Sequence, residues 1–253
     1  MSALRERMGS ALGWLSAPAF AAVALARRAR VFHPEGIVLT GRVEPIAIDG
    51  PLGAVAERLA GPALVRFSTA LWRRGKEWPD ALGCAIRFRS SDEPSTQPDP
   101  GDQDLLLATI RTPIATPLGP VGTHVHDFLA NRYFGTAPFD VLGVGRAKWR
   151  LVGEGEGEPV PSPNELGDRG RRLAESVARG SATLRLELRR TWRPRYEPVA
   201  RVSLESVAVV DQDRLRFSPF LAGRGIEPRG FVHALRRGAY AASRRFGHRN
   251  GEA

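Results

Sequence analysis

The chain has 253 residues, 42% of them hydrophobic and 25% charged, with 27 glycines and 20 prolines. That balance suits one large globular domain and excludes a collagen-like, fully disordered or polytopic membrane protein. The net charge is +10, but only Lys76 and Lys148 are lysines and the arginines are spread along the whole chain. No zinc finger, RRM signature or basic heptad array gathers that charge, so no specific nucleic-acid partner is expected. A single cysteine, Cys84, excludes an intramolecular disulfide and the cysteine-rich zinc and iron–sulfur frameworks, which makes a reducing cytoplasm the default location.

At the amino terminus Arg5 and Arg7 precede a largely apolar run at 11–26, which is followed by Arg27, Arg28 and Arg30. The run is shorter than the roughly twenty residues that span a bilayer, and Pro18 interrupts it. It reads as a helical arm over residues 1–29, with membrane association as the alternative. The main domain then occupies 30–253.

Residues 36–48 (GIVLTGRVEPIAI) carry the β-branched, alternating pattern of a strand, and similar runs lie at 63–69, 83–89, 104–109, 141–152, 182–190 and 199–210. Seven or eight strands are enough to close a barrel. Residues 90–103 and 153–164 are rich in Pro, Gly and acids and read as solvated loops. Helical spacing predicts helices over the arm, 166–178 and 231–246, and a short one over 125–133.

The five histidines include the pair His124 and His126, whose spacing demands no metal and which reads as a surface or loop-packing pair. No HExxH, GxSxG elbow, P-loop or strand-to-helix GxGxxG is present. The GEGEG string at 153–157 is acidic and would repel phosphate.

Several short strings nevertheless occur in one order. Arg30, His33 and Gly36 stand in RVFHPEG; Arg66 and Ser68 in LVRFST; Asp80, Gly83, Ala85 and Phe88 in PDALGCAIRF. Asp104 opens DLL, with TPI from Thr112; FSP follows from Phe217, GIEP from Gly225, and RRGAY runs from Arg236 to Tyr240. This ordered series resembles the haem catalase superfamily over most of the chain, from about Arg30 to Phe246, and the shortness of the chain resembles the small catalase-related peroxidases.

The resemblance implies an α+β fold, a catalase-like antiparallel β-barrel with flanking helices, holding haem b. It implies that Tyr240 is the proximal iron ligand and that Arg236, one helical turn earlier, favours its deprotonated form. It further implies that His33 moves the peroxide proton, that Ser68 orients the histidine, and that Arg30 and Arg66 pair with the haem propionates. The family's distal asparagine position reads Ile110-Arg111 here, and both phenylalanines after Thr-Pro-Ile are replaced.

Losing a group that orients peroxide disfavours dismutation and leaves a peroxidase-like oxidoreductase acting on hydrogen peroxide or organic hydroperoxides, with a small-molecule reductant. Rearrangement of a fatty-acid hydroperoxide is a variant of that reading. The alternative is a catalase-fold binding protein without catalytic haem, a carrier of lipid or haem, and a third option is a basic binder of nucleic acid or anionic membrane. The resemblance also admits a homo-oligomer, and the apolar composition of 11–26 admits weak membrane contact.

Overall fold

The computed structural model describes residues 36–47, 49–70, 72, 76–111, 122–135, 137–154 and 168–229. The expected arm, the expected helix over 231–246, and Arg30, His33, Arg236 and Tyr240 lie outside the described residues.

The alternating runs form strands as expected: β1 (Gly36–Pro45), β2 (Gly61–Thr69), β3 (Leu82–Phe88) and β4 (Gln103–Ala108) pair antiparallel in sequence order. β4 passes to β5 (Arg132–Phe134), β5 to β7 (Gly145–Gly153), β7 to β8 (Thr183–Arg190), β8 to β9 (Glu197–Val207), and β9 returns to β1. These eight strands close a barrel, and the short β6 (Phe139–Val141) and β10 (Ile226–Pro228) extend the sheet beside β7.

Alternation sends one set of side chains inward. Leu39, Val65, Phe67, Ile86, Leu105, Tyr133, Trp149, Leu151, Leu186 and Val202 fill the interior and are all but inaccessible. The Phe67 ring lies 5.3 Å from Phe128 and 5.7 Å from Tyr133, whose hydroxyl donates to the Phe128 carbonyl at 2.7 Å.

Among the described residues two helices link strands, one at each end of the barrel. At the end where β1 leaves and β2 enters, α1 (Gly50–Leu59) buries Leu52, Val55, Ala56 and Leu59, the i, i+3, i+4, i+7 set of one helical face, with a proline in its first turn. These apolar positions follow helical spacing, although no helix is among the elements expected from the sequence there. At the other end α2 (Arg169–Ala178) realises the predicted helix and buries Leu173 and Val177; Asp168 caps it, accepting from the Arg171 backbone N–H at 3.2 Å. Hydrogen bonding to the Arg171 side chain holds the Asp168 carboxyl below the usual range.

Two expectations are corrected. The run 141–152 is not one strand: Gly143 and Gly145, both with φ of 82°, turn the chain between β6 and β7. The run 125–133 is not a helix, because polar side chains take the backbone groups a helix would use. Asp127 accepts from Leu129 N–H, Asn131 accepts from His124 N–H and donates to the His124 and Asp127 carbonyls, and β5 starts at Arg132.

Cys84 sits on the interior face of β3, and burial pushes its thiol far above the ordinary range. Cys84 is therefore expected to resist alkylation by iodoacetamide in the folded protein and to react at the rate of a free thiol in denaturant. Rapid alkylation under native conditions would contradict the inward orientation of β3.

Candidate functional site

Because Phe67 points inward, its neighbours Arg66 and Ser68 point to the outer face of β2. The register builds a lattice around them. Gly36, Ser68, Gly83, Ala108 and Phe134 stand in one row across β1 to β5, and Val38, Arg66, Ala85 and Leu106 stand in the next row across β1 to β4. Ser68 is thus framed by glycine and alanine. Ser68 and Arg66 are only 4% and 7% exposed, whereas Ala85, Leu106 and Ala108 are half-buried.

Gly36 is needed at the edge of this face. A β-carbon there would lie 2.3 Å from the Phe67 carbonyl oxygen and 3.0 Å from the Arg66 guanidinium carbon, so the missing side chain lets Arg66 lie across the start of β1. Beyond Ala108, Arg111 holds its guanidinium 5.3 Å from the centre of the Phe134 ring, and Thr109 accepts from Thr123 at 3.0 Å and from Leu82 N–H at 3.1 Å. Four strands spaced about 4.8 Å apart give a face roughly 14 Å across. Its two rows set Gly36, Gly83, Ala85 and Ala108 among Val38, Leu106 and Phe134, with one cation, Arg66, and one hydroxyl, Ser68.

The third row holds a fully buried ion pair, Arg87 on β3 and Asp104 on β4. Arg87 Nε and Nη2 donate to the two Asp104 oxygens at 2.8 and 2.9 Å, and Nη2 also donates to the Arg216 carbonyl. Ser218 N–H donates to Asp104 at 2.7 Å, and the Phe217 ring centre lies 5.0 Å from the guanidinium. Burial pushes the Asp104 carboxyl upward, opposed by Arg87 and by Ser218 N–H. Next along β4, Gln103 donates to the Leu221 and Ile226 carbonyls and accepts from the Arg224 and Ile226 N–H groups. The DLL, FSP and GIEP strings are therefore one contact region. The sequence reading assigned no role to Arg87 or Gln103; a charged residue inside an otherwise apolar strand was the available signal.

A second polar cluster stands at the Ser68 end of the barrel. Glu77 accepts from the Arg169 N–H at 2.7 Å and from Arg172 Nη2 at 2.6 Å, and its other oxygen lies 2.6 Å from His126 Nδ1. Arg169 donates to the Val125 and Lys76 carbonyls, and Arg172 to the His126 carbonyl. His126 is thus a loop-packing residue, as expected, and no sequence pattern marks Glu77 as the carboxylate that ties its own segment to the His126 loop and to α2. Among the described residues no cluster of three or more His, Cys, Asp or Glu is disposed to hold a metal ion, and no helix is long and apolar enough to cross a membrane.

Of the predicted site residues, Arg66 and Ser68 come together on one face. The closed antiparallel barrel with its two helices is a catalase-like α+β fold. A fungal catalase, known from a crystal structure at 1.9 Å, superposes with a TM-score of 0.60 at 14% identity, over 91% of this chain and 62% of that one. The chain thus spans less than two thirds of that catalase's length. No protein-family model and no curated protein matches the sequence.

Replacing Arg87 by Met strands a buried carboxylate and is expected to cost about 3–5 kcal/mol in urea unfolding. The double variant Arg87→Met/Asp104→Leu is expected to recover most of that loss. Equal losses in the two variants would mean that the pair does not act as a unit.

Proposed function

We propose that this protein is a haem-dependent, peroxidase-like oxidoreductase acting on hydrogen peroxide or organic hydroperoxides, using the outer face of β1 to β4. The observation that carries the reading is the lattice of Gly36, Gly83, Ala85 and Ala108 around buried Ser68 and Arg66. The described half of the site is compatible with haem b: its glycine and alanine residues would face a flat macrocycle, and Arg66 would offer a guanidinium to a propionate. When bound, haem would supply the redox-active iron at which a peroxide is reduced.

The chain's own residues would do the rest. His33, three residues before Gly36 and so within about 10 Å of it along the chain, would carry the proton from one peroxide oxygen to the other. Ser68, directly opposite Gly36, would fix the imidazole by a hydrogen bond, and Arg30 would pair with the second propionate.

Elimination among the chain's three tyrosines supports Tyr240 as the iron ligand, with Arg236 favouring its phenolate. Tyr133 is enclosed in the barrel with its proton committed to the Phe128 carbonyl, and burial pushes its phenol well above the ordinary value. Tyr196 lies on the outside of the barrel under Arg150 and Arg189. The apolar Ile110, where catalases hold an asparagine, favours peroxidase turnover with a small reductant over dismutation.

Tyr240→Phe is expected to abolish the ferric tyrosinate absorption, while Tyr196→Phe leaves it unchanged. His33→Ala is expected to retain haem and lose about 100-fold or more of peroxidase turnover. Unaltered spectra and turnover in both the Tyr240 and His33 variants would overturn the assignment. A chain that takes up fatty acid but no haem would support the carrier alternative instead.

A further inference from the structure

The end of the barrel opposite Ser68 carries a different surface. There the β8–β9 hairpin exposes Trp192 to 92%, and the neighbouring β6–β7 turn exposes Leu142 to 65%. The two turns belong to adjoining strands: both the Thr191 N–H and its hydroxyl donate to the Arg146 carbonyl at the start of β7. Around them stand Arg146, Lys148, Arg189, Arg193 and Arg195. None of these five cations makes an ion pair with a carboxylate among the described residues, whereas nearby Arg190 pairs with Glu197 and Arg150 with Glu187. Tyr196 lies beneath this group, its ring centre 4.1 Å from the Arg150 guanidinium and 5.4 Å from that of Arg189.

We infer that this end of the barrel docks on an anionic lipid bilayer, with Trp192 and Leu142 entering the interfacial zone and the cations contacting acidic headgroups. An indole at a turn tip is suited to the headgroup level, where its ring is partly buried and its N–H stays hydrated. Unpaired arginines and lysine add electrostatic attraction that falls off within a Debye length. Single-stranded nucleic acid would also meet a cationic surface with an aromatic, but it has no use for the aliphatic Leu142, and stacking would call for aromatics in succession along a groove. Charge complementarity together with two exposed apolar tips at one end favours the bilayer. Docking there keeps the bilayer away from the Ser68 row, which lies on β1 to β4 at the other end of the barrel.

The test uses the full chain in co-sedimentation with vesicles of phosphatidylcholine alone and of phosphatidylcholine with roughly 30% phosphatidylserine at low and high salt. Binding is expected only to the anionic vesicles and is expected to weaken with salt. Trp192→Ala and Arg193→Glu/Arg195→Glu alter only exposed side chains, so the barrel should melt unchanged while binding falls, by on the order of 30-fold or more for the double charge reversal. Absence of binding to anionic vesicles, or binding that survives both variants and so belongs to another part of the chain, would overturn the inference. Preferential retention of a single-stranded oligonucleotide over the vesicles would overturn it as well.

Discussion

Burying the Arg87–Asp104 pair takes two charges out of water, a cost offset by their bidentate contact and by further hydrogen bonds, with Arg87 Nη1 alone left without a hydrogen-bond partner in the pair. Here the bidentate contact is completed from a distant segment, by the Arg216 carbonyl and the Ser218 N–H. Those bonds fix residues 216–218 on the outside of the barrel, and Gln103, the next residue on β4, fixes 221–226 in the same way. The barrel interior is held by apolar packing that many sequences could supply. Part of the outer face depends on this polar lock, since the segment it holds brings Leu215 and Phe217 against the cluster of Val38, Leu64 and Ala208.

With one side of the face covered, what stays partly open is the pair of rows nearer the end of the barrel. Those rows set glycine and alanine beside Arg66, which can lie across the start of β1 because Gly36 presents no β-carbon. The proposed function rests on this face receiving a flat, carboxylate-bearing ligand.

The sequence made much of this legible and concealed the rest for physical reasons. Alternation in the runs that became β1 to β4 marks strands and also says that Arg66 and Ser68 share the side opposite Phe67. It does not say that Gly83, Ala85 and Ala108 lie beside them, because register between strands is fixed by long-range pairing. The 125–133 run has helical spacing, but Asp127 and Asn131 compete for its backbone, a side-chain effect that apolar periodicity does not register. α1 was overlooked although Leu52, Val55, Ala56 and Leu59 follow helical spacing, since ten residues with a proline and two glycines look like a turn. Glu77 is partnered by residues roughly 50 and 90 positions away, beyond any local signal.

The central claim is that the glycine and alanine face of β2 to β4 receives a flat ligand. The direct measurement is a titration of hemin into the full-length protein, followed by Soret absorbance, for the natural chain and for Ala85→Trp, which fills the middle of that face. The account predicts saturation at one hemin per chain for the natural protein and no uptake by a variant that remains folded. Equal uptake by both would place any haem elsewhere and contradict the account.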